Sequence, residues 1–140
     1  MSDESRTDPR RALGERGEEL AAQHLVESGW EIVARNWSVS LGEVDIIASR
    51  EEERYGQVIA QIAFVEVKTR RISRRRRAPE INVTFKKRKQ LVRLATLWLK
   101  IAASDANPSL RFDVIAVEIG GDGEVIIRHI ERAFDARGAC

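Results

Sequence analysis

Two short stretches constrain this chain more than any other feature, because each sets ionisable residues inside a segment that otherwise asks for burial. Gly42-Glu43-Val44-Asp45-Ile46-Ile47-Ala48 is followed, after a charged turn, by Phe64-Val65-Glu66-Val67-Lys68. Both are rich in β-branched and aromatic residues and read as strands. Side chains alternate faces along a strand, so Glu43 and Asp45 are expected on one side and Val44 and Ile46 on the other. Glu66 and Lys68 share a face in the same way, opposite Val65 and Val67. Pairing the two strands as a hairpin brings Asp45, Glu66 and Lys68 to one place on a rigid sheet. Two carboxylates and an amine on an apolar background are costly to desolvate unless paired or bound to a cation. That cost points to a divalent metal and a phosphodiester.

With 140 residues, 43% of them hydrophobic and 33% charged, the chain has the size and composition of one soluble domain. The expected layout is a mobile tail at 1–9, a domain at 10–134 and a short tail at 135–140. No apolar run reaches the length of a bilayer span, and the polar start lacks a signal-peptide core. A cytoplasmic protein without membrane contact is therefore expected. Cys140 is the only cysteine, which removes disulfides and cysteine metal clusters from consideration. His24 and His129 are the only histidines, so a structural zinc is equally unexpected. Charge is distributed unevenly: 13 of the 24 Lys and Arg lie between Lys68 and Lys100, against one acidic residue, Glu80. Such a block attracts polyanions.

Along the chain, Asp8 and Pro9 suit the cap and first turn of a helix. Leu13, Gly17, Leu20, Ala21, His24, Leu25 and Ser28 then form a stripe of helical period, which Gly29 ends. Glu18 lies on the edge of that stripe, and His24 near its centre reads as a packed histidine. Residues 30–37 and 42–48 make the first two strands. Ser49 to Gln57 reads as a charged turn, and a third strand runs from about Val58 to Thr69. Arg70 to Pro79 reads as an exposed basic loop. A second helix begins near Thr84, with Leu91, Leu94, Ala95, Trp98, Leu99 and Ala102 as its apolar face. Lys86, Lys87, Arg88 and Lys89 crowd its first turns against the helix dipole, which suggests an anion nearby. Strands at 111–118 and 124–130, joined through Gly120-Gly121-Asp122-Gly123, close the chain. The third and fourth strands flank a helix and are expected to be parallel. The fold class is thus α/β, in the order α-β-β-β-α-β-β, with one mixed five-stranded sheet flanked by helices.

Metal-assisted phosphodiester cleavage needs few parts. Carboxylates hold Mg2+ or Mn2+, which activates a water and stabilises phosphate charge. A nearby lysine orients the water and offsets developing charge. Asp45 and Glu66 are the candidate metal ligands and Lys68 the candidate catalytic lysine. Glu18 reads equally as a further site carboxylate or a surface residue. Arg70, Arg71, Arg74, Arg75, Arg76, Arg77, Lys86, Lys87 and Lys89 are the candidate nucleic-acid-binding residues.

These motifs resemble the YraN family of small bacterial proteins. The resemblance rests on Gly-Glu-Val-Asp-Ile-Ile-Ala, Phe-Val-Glu-Val-Lys-Thr-Arg and Arg-Phe-Asp-Val-Ile-Ala-Val. Gly14-Glu15-Arg16-Gly17-Glu18 and Ile130-Glu131-Arg132-Ala133-Phe134 extend it over nearly the whole chain from Leu13 to Phe134. That family is in turn similar to the restriction-endonuclease-like, PD-(D/E)xK nucleases, which include the small archaeal Holliday-junction resolvases. The resemblance implies a restriction-endonuclease-like single domain that cleaves DNA, branched or otherwise structured, with Mg2+. It implies Asp45 and Glu66 as metal ligands, Lys68 as the catalytic lysine and Glu18 as the first-helix glutamate that some resolvase-like members add. A resolvase also implies a homodimer, although no apolar stripe stands out as its interface. Asp113 matches an aspartate of the YraN pattern and reads as a salt-bridge or turn partner at a strand start. The competing readings are a nucleic-acid-binding protein that keeps the fold without catalysis, and an adaptor whose carboxylates form buried ion pairs. The complete Asp45, Glu66 and Lys68 set favours the enzyme, and the basic block favours nucleic acid over the adaptor.

Overall fold

The computed structural model describes residues 8–73, 81–102 and 107–139. The order of elements is α1 (Pro9–Glu27), β1 (Glu31–Val39), β2 (Gly42–Arg54), β3 (Gln57–Ile72), α2 (Phe85–Ala102), β4 (Ser109–Gly120) and β5 (Val125–Phe134). This is the α-β-β-β-α-β-β order read from the sequence. The strands lie side by side as β1-β2-β3-β4-β5. Only β3 and β4 are parallel, and the connection between them contains α2. No helix among the described residues is long and apolar enough to cross a membrane.

Local chemistry explains the helix ends. Asp8 accepts a hydrogen bond from the Arg10 amide at 3.0 Å, satisfying one free donor of the first turn of α1. Pro9 is already helical, so the helix takes the last residue of the expected tail. At the other end Gly29 adopts φ +92°, a left-handed conformation that glycine accepts without penalty. Thr84 Oγ1 accepts from the Lys87 amide at 3.2 Å and caps α2 in the same manner.

The sheet is covered on both faces. Ala21, Ala22 and Leu25 of α1 pack with Trp30, Ile46, Ala48, Ala63, Val65, Ile115 and Val117. Leu91, Leu94 and Ala95 of α2 pack with Val44, Ile47, Ile62, Phe64 and Phe112. Consecutive residues such as Phe64 and Val65 serve different cores, as strand alternation requires. Ser28 and Ala102, expected on buried stripes, are exposed because each lies at a helix end beyond the sheet.

Three expectations are corrected. Ser49 to Gln57 is not a turn region: β2 continues to Arg54, and the reversal is confined to Tyr55 and Gly56. Those residues have φ +50° and +76°, the left-handed pair that matches the twist of a two-residue hairpin. The ribbon is paired from Ser49↔Ile62 to Arg54↔Gln57, and its charged side chains reach water, so apolar alternation never marked it as strand. Arg70 and Arg71 likewise belong to β3, which runs to Ile72 because β4 pairs with it from Gln61 to that end. Finally, β5 extends to Phe134, whose ring stacks on Phe112 at 5.0 Å. The arginine run Arg74, Arg75, Arg76 and Arg77 and the tail at 1–7 lie outside the described residues.

Candidate metal and nucleic-acid site

β2 pairs with β1 from Gly42 onward but with β3 only from Ile46 onward. Between Gly42 and Asp45 the two strands part, and Asp45 stands at the fork. Its Oδ2 accepts a hydrogen bond from the Val67 amide at 2.8 Å, standing in for the missing ladder. This bond orients the carboxylate and leaves Oδ1 as a further acceptor. Strict alternation fails here: Val44 faces the α2 core and Ile46 the α1 core, contrary to the shared side expected for them. On β1 the irregularity is matched at Asn36, between the partners of Val44 and Ile46, with φ +50°. Asparagine tolerates that conformation better than most residues.

A second element supplies charge from below. Gly17 lets α1 lie directly on β3, since a Cβ there would sit 1.8 Å from Thr69 Oγ1. The next residue, Glu18, thereby reaches the fork. One carboxylate oxygen from each of Glu18, Glu43 and Asp45 lies within 4.8 Å of the others. The Asn36 amide, oriented by its partners, donates to Glu43 Oε1 at 2.8 Å and Glu18 Oε2 at 3.0 Å. Hard oxygen donors at this spacing fit Mg2+ or Mn2+.

Glu66 approaches from β3 with only 7% of its surface exposed. Its two oxygens face two lysines, Lys68 Nζ at 3.7 Å and Lys87 Nζ at 4.0 Å. Both are loose ion pairs. Burial raises the pKa of Glu66, and the Asp45 charge adds to the rise. Burial also raises Asp45, with Glu43 contributing, while the Val67 hydrogen bond and the two lysines work in the opposite direction without cancelling it. Glu18 is raised by burial and then by Asp45. The carboxylates at the fork are thus held together against their own repulsion.

A second charged cluster shows the contrast. Asp113 is fully buried and receives Arg111 Nε at 3.0 Å, Arg111 Nη2 at 2.7 Å and the Arg132 amide at 3.1 Å. His129 Nε2 lies 2.6 Å from it, and His129 Nδ1 lies 3.2 Å from His24 Nε2. Burial pushes Asp113 upward, but the hydrogen bonds from His129 and Arg111 and the Arg111 charge bring its pKa down to about 2. This cluster is neutralised by the protein itself. The salt-bridge reading of Asp113 and the packed reading of His24 are the ones the contacts support.

The other sequence candidates separate. Lys87 is half-buried beside Glu66, whereas Lys86 and Lys89 are exposed on α2. Arg70 follows Glu66 and Lys68 at period two on the α2 side of β3. Arg71 lines a cleft on the α1 side with Leu13 and Arg16, away from Lys68. Two site residues were missed. Glu43 was detectable, two positions before Asp45 and expected on its side. Asn36 carried no signal, because its role depends on the local irregularity of β1.

An interrupted mixed sheet with carboxylates at the fork and lysines on one side defines a small α/β protein with an acidic centre. A family model described as "Uncharacterised protein family UPF0102" matches residues 17–117. The UPF0102 protein of Symbiobacterium thermophilum is 44% identical over 126 residues, covering 90% of this chain and 98% of its own. Those of Rhodococcus jostii and Nocardia farcinica are each 42% identical, covering 88% and 93% of this chain and 96% and 94% of their own. The chain belongs to the UPF0102, or YraN, family. All of Asn36, Glu43, Asp45, Glu66, Lys68 and Lys87 fall inside the matched segment.

Proposed function

We propose that this protein is a metal-dependent nuclease that hydrolyses phosphodiester bonds in DNA. The observation that carries the reading is the convergence of Glu18, Glu43 and Asp45 at the strand fork, with Glu66 beside them and burial raising the pKa of Glu18, Asp45 and Glu66. Packing carboxylates against their own repulsion is costly unless a cation relieves it. Glu18, Glu43, Asp45 and Glu66 would hold Mg2+ or Mn2+, which supplies an activated water and Lewis-acid stabilisation of the phosphate. Lys68, 3.7 Å from Glu66, sits where it can orient the attacking water and offset charge on a phosphate oxygen. Lys87 holds the opposite oxygen of Glu66 and adds positive charge toward the incoming strand. Lys86, Lys89 and Arg70 then position the backbone without reading its sequence.

Incubating the purified protein with branched, single-stranded and duplex DNA, with Mn2+ and with chelator, tests the reading. Metal-dependent cleavage is expected, and Lys68→Ala should lower it at least about 100-fold, the scale of losing one transition-state donor. Binding should survive in that variant, since its charge is one of many. Absence of cleavage on all three substrates, or full activity in Lys68→Ala, rejects the proposal.

A further inference from the structure

The tip of the β1–β2 hairpin and the first half of α2 enclose an open cleft of about 440 Å3. Gln90 Nε2 ties its two walls together by donating to the Leu41 carbonyl at 2.9 Å. Leu41 offers an apolar surface, 41% exposed in a tight turn. Around it stand Lys86, Lys87, Lys89 and Arg93, and among the described residues no acidic side chain lines the cleft. The volume falls in the range of about 300–1,000 Å3 that small-molecule sites occupy. Lys87 belongs to both places, lining this cleft and lying 4.0 Å from Glu66. The cleft and the carboxylate site therefore adjoin through Lys87.

We propose that this cleft is a subsite for one unpaired nucleotide of the DNA strand, next to the carboxylate centre. The proposal rests on the nuclease reading for its substrate but not for its test. A track for phosphates alone needs cations and no apolar wall, whereas Leu41 with its cationic ring matches both halves of a nucleotide. The base face covers Leu41, and the phosphates on either side meet Lys86, Lys87, Lys89 and Arg93. A paired base reaches such a cleft only after unstacking and unpairing, at a cost of about a few kcal/mol. A flap, a gap or a branch point presents its base without that cost. The protein thereby prefers DNA with an unpaired nucleotide over an uninterrupted duplex.

Binding in chelator, where nothing is cut, tests this. Two probes suffice: a blunt duplex, and the same duplex with a five-nucleotide flap carrying 2-aminopurine at the junction. The flapped probe should bind at least about tenfold tighter, because the unpairing cost is spared. Its 2-aminopurine emission should rise as the base leaves its stack. Leu41→Ser should abolish both the preference and the emission change while binding the blunt duplex as the wild type does. Leu41→Met, which keeps an apolar wall, should retain both, and Lys86→Ala with Arg93→Ala should weaken both probes. Equal affinity for the two probes, or a preference that survives Leu41→Ser, overturns the subsite. A preference without metal-dependent cleavage keeps the subsite and rejects the nuclease reading, and cleavage without a preference does the reverse.

Discussion

Asp45 and Asp113 are the same residue with opposite surroundings, and their titrations should reveal it. Asp113 has a folded pKa of about 2 against the ordinary 3.8, so the native state releases its proton more readily than the unfolded chain. Its contribution, about 2 kcal/mol, is present above pH 4 and is lost as pH falls towards 2. Asp113→Ala leaves the Arg111 guanidinium buried with only Glu131, and should cost about 3–5 kcal/mol in urea denaturation. Asp45, Glu18 and Glu66 behave in the reverse sense. Their raised pKa values mean that the native state holds protons more tightly, so their contribution is greatest in acid and is lost as pH rises through those values. In chelator at neutral pH, Asp45→Asn should therefore melt at or above the wild-type temperature, and the difference should vanish as the solution is acidified. Metal should act in the opposite sense. With an assumed Kd of about 1 mM, roughly 10 mM Mg2+ stabilises the wild type by about 1.4 kcal/mol, or about 4–6 °C. Asp45→Asn should lose most of that shift in differential scanning fluorimetry. A variant that melts far below the wild type in chelator would make Asp45 a structural ion-pair partner instead.

At the scale of elements, the site depends on how closely α1 lies on β3. Gly17→Ala places a methyl group against Thr69, and such overpacking costs about 1–3 kcal/mol. The variant should also show a smaller Mg2+-induced melting shift, because Glu18 moves with its helix. The β2–β3 ribbon offers the opposite kind of change. Tyr55 is fully exposed in a left-handed conformation, so Tyr55→Asn should raise stability by about 1 kcal/mol in the same assay. The sequence made the elements legible wherever one face had to be buried. Leu91, Leu94 and Ala95 announce α2, and the Phe64 segment announces β3. The ribbon from Ser49 to Gln57 stayed hidden because it is held by backbone pairing rather than by a core. Within the site, Asp45, Glu66 and Lys68 were legible from period two. The fork itself was not, since the displacement of one strand face depends on the conformation of Asn36 in a different strand.

For the molecule as a whole, a net charge of +2 hides a local concentration of positive charge, with Lys86, Lys87, Lys89 and Arg93 around one cleft. Contact with about five phosphates gives a log–log salt slope of roughly −4 to −5, and replacing Lys86, Lys87 and Lys89 by alanine should reduce it by about 2 to 3. An unchanged slope in fluorescence anisotropy would mean that these lysines face solvent only. The strand order β1-β2-β3-β4-β5 has a kinetic consequence. Every strand neighbours its predecessor in the chain, so β1–β2, β2–β3 and β4–β5 close as local hairpins on a scale of about 1–10 μs. The single long closure joins β3 to β4 across α2, and loop entropy must be met there before any contact compensates it. The folding barrier is accordingly expected at that seam. Truncating Phe64 or Phe112, whose rings stack across it at 5.7 Å, slows refolding, whereas truncating Val58 in the ribbon mainly hastens unfolding.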